Sequence, residues 1–233
     1  MILDIIEKIK KELRWDTRNR FIFQLKTKAS LLDIGCGAGG VLKVFLQYRN
    51  DLQITGLDTQ DFSKQVPEQV RFVRLNADSG RLPFDDNSFD AVTVIHLVEH
   101  IENVENLLKE IIRILKPSGR FYIETPDAKT LNYPKFEFLF KDKSGGPLNF
   151  YDDTTHLKPV SKDFMHNIMV KINAVEITKG HYRNLLYCLI SPLLMILGVI
   201  MRKRRWFVVG FQHLSGWSVY WTGKKQSNDK NTE

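Results

Sequence analysis

Residues Leu31–Gly40 read LLDIGCGAGG. A short apolar run, Leu31, Leu32 and Ile34, breaks into Gly35, Gly37, Gly39 and Gly40, and an apolar-patterned segment follows from Val41 to Tyr48. That order reads as strand, tight turn and helix, the local form of a nucleotide-binding turn. Glycines there let the backbone bend and approach a bulky ligand, and the first amides of the next helix face whatever binds. The spacing of Gly35, Gly37 and Gly40 also satisfies the G-x-G-x-x-G dinucleotide fingerprint, so the turn alone leaves the ligand open.

Working outward, a second apolar run (Leu52–Leu57) ends in Asp58, about twenty residues past the first glycine, where a carboxylate meets both ribose hydroxyls. Beyond it come Asn76-Ala77-Asp78, then LPFDDNSFDAVTVIHLVEHI from Leu82 to Ile101, and a helical stretch closing at Leu115-Lys116-Pro117-Ser118-Gly119-Arg120 before a strand, Phe121–Thr125. The span from Leu31 to Thr125 resembles the class I S-adenosylmethionine-dependent methyltransferases, in the subgroup with a "PF-x-x-x-SFD" strand and an "EHI" helix start. The resemblance implies that Asp33, Gly35, Gly37 and Gly39 surround the methionine part of S-adenosyl-L-methionine, that Asp58 holds its ribose, and that Asp78 takes its adenine amine. It also implies that the segment around His96 passes beneath the sulfonium.

The alternation predicts strands 31–34, 53–58, 70–75, 89–95, 119–125, 174–179 and 217–223, helices 40–48 and 102–116, and a short helix near 61–66. This is an α/β, doubly wound, mostly parallel seven-stranded sheet with ligands at the carboxyl ends of its strands. One domain is expected, with an N-terminal helical cap (1–30), a cofactor core (31–125), a substrate lid (126–163), an apolar insertion (183–212) and a flexible tail (224–233). Ile2, Ile5, Ile6, Ile9 and Leu13 recur at helical spacing and predict a first helix.

Composition bounds the rest. A chain of 233 residues that is 43% hydrophobic is not a disordered one. Two cysteines at Cys36 and Cys188 offer neither a disulfide framework nor a metal spacing, and Asp4 and Glu7 interrupt what a signal peptide requires, so a cytoplasmic setting is expected. The net charge of +7 lies entirely in residues 179–233, which carry 9 basic and 2 acidic side chains. Such asymmetry points to a localised anionic partner for that segment, not to a nucleic-acid coat.

Two constellations carry candidate chemistry. His96, Glu99 and His100 share a face if helical geometry begins near His96, which suits either a base site or a divalent-metal site. Some quinone O-methyltransferases of the same fold place a metal near an "E-x-x-E-H" segment. Only Glu99 and His100 match that pattern here, so no metal is assigned and a structural role in the loop after the fourth strand is expected. The region 126–163 is rich in aromatics and turn formers (Tyr133-Pro134, Phe136, Phe138, Phe140, Gly145-Gly146-Pro147) and ends in Asp152-Asp153-Thr154-Thr155-His156. That end resembles a "D-P-T-H-x-R-P" segment of glycan-pathway methyltransferases. His156 is the candidate general base, with Asp152 or Asp153 orienting it and His100 beside it; the competing reading has His156 and Asp153 capping a helix that begins near Ser161.

Leu185–Met201 runs seventeen residues without a charge, and Arg202-Lys203-Arg204-Arg205-Trp206-Phe207 follows. A helix of that length spans about 25 Å against a hydrocarbon core of about 30 Å. With Pro192 and Gly198 inside, it reads as a surface-lying or re-entrant anchor, placed by residues 183–212 on the cytoplasmic membrane face. The expected activity is therefore S-adenosylmethionine-dependent O-methylation of a lipid-linked or membrane-associated acceptor, glycan or quinone-like. A soluble methyltransferase dimerising through the insertion and a non-catalytic membrane-bound scaffold are the alternatives.

Overall fold

The computed structural model describes residues 16–135, 139–140 and 145–227. The apolar stripe Ile2 to Leu13, the lid residues Phe136 and Phe138 and the end of the tail lie outside them. Seven strands form one sheet in the order β3-β2-β1-β4-β5-β7-β6. They are β1 (Ser30–Ile34), β2 (Gln53–Asp58), β3 (Arg71–Arg74), β4 (Phe89–Ile95), β5 (Leu115–Pro126), β6 (Ala174–His181) and β7 (Ser218–Lys225). The pairs β1–β2, β1–β4, β2–β3 and β4–β5 are parallel, and β7 runs antiparallel to both β5 and β6. The expected doubly wound sheet is present.

Its two faces are covered by separate cores, because successive strand side chains point to opposite sides. On one face Leu31, Ile54 and Ala91 meet α1 (Thr17–Phe23) and α2 (Gly40–Tyr48) through Phe21, Ile22, Leu42 and Phe45. On the other, Leu32, Ile34, Val92 and Val94 meet α3 (Val104–Ile114) and α4 (Lys162–Lys171). In α3 the apolar positions Val104, Leu107, Leu108, Ile111 and Ile114 fall on one stripe, and each such buried side chain stabilises the fold by roughly 1.5–3 kcal/mol. Asn103 starts this helix by accepting a hydrogen bond from the Asn106 amide at 3.0 Å.

Four boundaries differ from the sequence expectation. No helix forms at 61–66: Asp61 accepts from the Ser63 amide, a single turn closes on the Phe62 carbonyl, and Pro67 cannot continue it. The helix expected over 102–116 is shorter, and β5 already begins at Leu115, since the residue before Pro117 is pushed toward extended backbone. A separate 3₁₀ turn, Val98–His100, precedes it. The tail expected from 224 instead begins as strand, with Lys224 and Lys225 paired to β6 and the Lys225 ammonium donating to the Arg113 and Leu115 carbonyls.

Between β6 and β7 the chain makes a helical hairpin, α5 (Leu185–Ile200) and α6 (Arg204–Ser215). The helices touch backbone to backbone: a β-carbon on Gly198 would lie 2.7 Å from the Phe207 nitrogen, and one on Gly210 would lie 2.8 Å from the Ser191 carbonyl. The inner side of the hairpin meets the segment after β5 in a third small core of Phe140, Leu148, Phe207 and Val208. The outer side of α5 is bare. Leu189, Leu193, Ile196 and Ile200, at i, i+4, i+7 and i+11, are 57–75% exposed. Among the described residues no helix is long and apolar enough to cross a membrane.

Candidate active site

Two groups of residues meet at the carboxyl ends of β1, β2, β4 and β5. The first is built on the glycine turn. Gly35, Gly37 and Gly39 all have positive φ (79°, 50° and 73°), and Gly39 is the left-handed N-cap of α2. The Gly35 amide donates to the Leu57 carbonyl at 2.7 Å, tying the turn to β2, and the Gly37 amide donates to Asp58 Oδ2 at 2.9 Å. Asp58 Oδ1 accepts from the Gln60 amide at 3.0 Å, so the carboxylate is fixed beside the turn. Nothing would lie within 4 Å of a β-carbon on Gly37, which leaves the loop open toward a ligand.

Asp33 is buried beneath this turn and accepts a 2.5 Å hydrogen bond from the Thr93 hydroxyl. Burial raises its carboxyl to about 7 against the opposing pull of that hydrogen bond and of Arg18. Burial likewise pushes the Cys36 thiol up to about 12, so it stays a thiol. Asp78 lies four residues past β3 and accepts from the backbone amides of Glu102 (3.0 Å) and Asn103 (3.2 Å). Its carboxylate thus anchors the approach to α3, and ligand binding would use its remaining lone pairs.

The second group lines a cavity of about 420 Å³, within the range of small-molecule sites. Its walls come from six separated stretches: Arg18; His96, Glu99 and His100; Gly145–Pro147; Asp153 and His156; Tyr182; and Gln212, His213, Trp217 and Ser218. His96, grouped by sequence with the cofactor residues, belongs to this wall. Leu97 next to it packs where a β-carbon of Gly35 would be, at 3.1 Å, so the two groups abut.

Buried carboxylates organise the cavity floor. Glu124 at the end of β5 is paired by Arg18, whose Nε and Nη2 donate at 2.8 and 2.6 Å, and by the Tyr122 hydroxyl at 2.9 Å. His96 Nε2 is 3.3 Å from Glu124 and its Nδ1 is 3.4 Å from Glu99. Burial opposes a charge on His96, but the two carboxylates prevail and lift it to about 9, so it is an imidazolium at neutral pH. Despite burial, Arg18 and His96 hold Glu124 below the usual carboxylate range.

His156 is buried, and its Nδ1 lies 2.6 Å from the Phe150 carbonyl. A carbonyl only accepts, so a proton sits on Nδ1, and the neutral form of the ring carries its lone pair on Nε2. The orienting partner is therefore Phe150 and neither aspartate. Asp152 accepts from the Leu148 and Asn149 amides, and Asp153 Oδ1 is engaged by the Thr155 amide and hydroxyl, leaving Oδ2 3.8 Å from His156 Nε2. Nor does His156 or Asp153 cap α4, because Ser161 does so through the Phe164 amide at 3.1 Å. His100 Nδ1 faces the Thr155 carbonyl and hydroxyl, each at 3.1 Å, and its ring lies 4.8 Å from that of His156.

Residues 146–148 and the hairpin side of the cavity are bonded to each other. Arg204 donates to the Gly146 carbonyl (2.9 Å), Gln212 to Pro147 (2.8 Å), and the Trp217 indole to Leu148 (2.7 Å). Sequence reasoning missed Arg18, Glu124, Gln212, His213 and Trp217. Of these only Glu124 left a signal, as a charged residue inside the apolar run Phe121–Thr125.

Comparison with known proteins agrees with this geometry. Residues 32–123 match the family described as a methyltransferase domain. The ubiquinone/menaquinone biosynthesis C-methyltransferase UbiE of Desulfotalea psychrophila is 33% identical over 120 residues, 48% of each chain. The sterol 24-C-methyltransferase erg6 of Aspergillus fumigatus is 33% identical over 107 residues, 42% of this chain and 28% of its own. The chain thus spans about half or less of the length of these relatives. In structure it is similar to a SAM-dependent methyltransferase from Archaeoglobus fulgidus (TM-score 0.62, 22% identity, 97% of this chain and 100% of that one). It is also similar to a putative methyltransferase of Haloferax volcanii solved in complex with the Trm112 methyltransferase activator (TM-score 0.65, 16% identity, 96% and 95%). Sheet order, glycine turn and family match together show a methyltransferase domain over residues 32–123, carried on a Rossmann-like methyltransferase fold.

Proposed function

We propose that the protein transfers a methyl group from S-adenosylmethionine to a hydroxyl of an acceptor held in the cavity, and that the acceptor is carried on a lipid, glycan or quinone-like. The observation that carries this reading is the abutment of the open glycine turn on a cavity whose buried imidazole, His156, is held through Nδ1 by the Phe150 carbonyl. When bound, the cofactor supplies a methyl group already activated on a sulfonium.

The chain's own residues do the rest. Gly35, Gly37 and Gly39 give the cofactor a backbone cradle, Asp58 accepts from its ribose hydroxyls, Asp78 from its adenine amine, and Asp33 supports the turn from below. Positioning supplies much of the rate, because two reactants held in line no longer need to meet by diffusion. His156 Nε2 draws the acceptor's proton, Asp153 and His100 flank it, and the paired Arg18, Glu124 and His96 keep the floor rigid. The relatives' printed names specify C-methylation, which a carbon acidified by a neighbouring hydroxyl would undergo at the same base.

The lipid part of the reading rests on the hairpin. α5 offers an apolar stripe, exposed Arg202, Lys203 and Arg205 adjoin it, and α6 of the same hairpin supplies Gln212 and His213 to the cavity. An anionic cytoplasmic membrane surface matches both the stripe and the charge. The test uses methyl-labelled S-adenosylmethionine and phosphatidylglycerol-containing vesicles doped with a polyprenyl-linked sugar or a quinol. The expected result is labelled methyl ether on the doped lipid, lost when Leu189, Leu193 and Ile196 are all changed to serine while cofactor binding persists. Equal labelling by that variant, or its conversion from dimer to monomer without change in vesicle binding, overturns the membrane reading; labelled carbon instead of oxygen overturns the hydroxyl.

A further inference from the structure

We propose that His213 determines which acceptor the cavity takes: its Nε2–H donates to a second oxygen of the acceptor while the reacting hydroxyl faces His156. The acceptor head then carries at least two oxygens and is not a lone alcohol. This inference rests on the reading of the cavity as the acceptor site.

His213 lies in α6, and its ring lines the cavity. The first turn of α5 holds it in place. Asn184, the N-cap of α5, gives its side-chain oxygen to the Leu186 (3.1 Å) and Tyr187 (3.3 Å) amides, and its own amide donates to His213 Nδ1 at 3.3 Å. The Tyr187 ring stacks on the imidazole, with centroids 5.0 Å and planes 4° apart, and Tyr182 leans on it at 5.5 Å. The Cys188 thiol donates to the His213 carbonyl at 3.4 Å. Residues 182–188 therefore fix both the plane of the ring and the backbone that carries it.

A backbone amide only donates, so Nδ1 is the lone-pair nitrogen and the proton sits on Nε2. An imidazolium has no lone pair with which to accept, and burial holds His213 below the ordinary histidine value, so the ring is neutral. No protein group among the described residues meets Nε2. Two other rings on this side of the cavity have already spent their protons. The Trp217 indole donates to the Leu148 carbonyl and the Tyr182 hydroxyl to Asp16, each at 2.7 Å. Of these three rings, His213 alone keeps a proton for a ligand.

His156 is the complement. The Phe150 carbonyl holds its Nδ1–H, so in the neutral form its Nε2 accepts. Two imidazoles of opposite tautomer thus serve one cavity, one to take a hydroxyl proton and the other to bond an oxygen that keeps its lone pairs. A sugar diol or a quinol supplies both oxygens. A single-hydroxyl alcohol leaves the His213 donor unpaired, and a site built to bond an oxygen discriminates against a ligand that lacks it.

The experiment has two readings on the full-length protein. Spectra of nitrogen-15-labelled histidine at neutral pH, without acceptor, report the tautomer, with His213 assigned by its loss in the variants. The expected form is neutral and protonated on Nε2; protonation on Nδ1 overturns the proposal. Initial rates are then measured with methyl-labelled S-adenosylmethionine and phosphatidylglycerol-containing vesicles. These are doped with a polyprenyl-linked sugar or a polyprenyl quinol, each compared with its single-oxygen counterpart, polyprenol or polyprenyl phenol. The wild-type protein should prefer the two-oxygen member of a pair. His213→Phe, which keeps a ring for Tyr187 to stack on, should shrink that preference about 3–10-fold by raising KM with little change in kcat. His213→Gln, which retains a side-chain N–H donor, should restore most of it, and unchanged S-adenosylmethionine binding shows both variants folded. An undiminished preference in His213→Phe, or equal wild-type rates on both members, overturns the proposal. Transfer to neither pair by protein that binds S-adenosylmethionine sinks the acceptor reading and this inference with it, whereas failure of the His213 comparisons alone leaves that reading standing.

Discussion

The glycine turn and the histidine cavity adjoin at the same sheet edge but are built in opposite ways. The turn comes from short, nearly contiguous stretches, and its geometry is carried by backbone: positive φ at three glycines and amides directed at Leu57 and Asp58. The cavity draws on six stretches spread from Arg18 to Ser218, and its geometry is carried by side-chain ion pairs across large sequence separations, Arg18 to Glu124 being the example. A part that binds an invariant cofactor can be local. A part that must fit a particular acceptor is assembled from whatever the fold brings together, here with residues 145–147 and the helical hairpin.

If that contrast is right, the costliest single change lies in the cavity. Arg18→Ala leaves the Glu124 carboxylate buried without its bidentate partner and should destabilise the protein by about 3–5 kcal/mol, read as a shift in denaturant midpoint. A loss under about 1 kcal/mol would mean that the cavity floor is not held by this pair.

The next effect belongs to the turn and depends on pH. Asp33 has a folded-state value of about 7 against about 3.9 unfolded. Below about pH 4 both states hold the proton and nothing is lost. As pH rises from 4 to 7 the unfolded chain ionises first, so stability falls across that window by an amount on the order of a few kcal/mol and levels off above it. Asp33→Asn should flatten this slope in urea titrations at pH 4, 5.5 and 7.5; an unchanged slope would show that Asp33 ionises freely in the fold.

The smallest effect sharpens the local character of the turn. Gly39→Ala places a β-carbon at φ 73° and 3.0 Å from Pro67 Cδ, which should cost about 1–2 kcal/mol and weaken cofactor binding without altering acceptor binding at the cavity. Equal damage to both functions would show the two regions to be one cooperative unit.

The same contrast explains what was legible in the sequence. Leu31–Gly40, Asp58 and the strand alternation are local signals, and they located the sheet, the turn and the ligand edge. Phe150 as the partner of His156 was not legible, because a backbone carbonyl carries no residue signature. Arg18 and Trp217 were not, because only the sheet order brings them beside Glu124 and His96. The missing helix at 61–66 reflects local chemistry that was underweighted: the Asp61 side chain competes for backbone amides and Pro67 ends the turn.

The most direct measurement is equilibrium binding of S-adenosylmethionine, S-adenosylhomocysteine and NAD to the purified full-length chain, with Asp58→Ala beside it. The account predicts that both adenosyl-sulfur ligands bind, that NAD does not, and that losing the charged acceptor at the end of β2 weakens binding about 10–100-fold. Binding of NAD, binding of neither class, or affinity indifferent to Asp58 would contradict it.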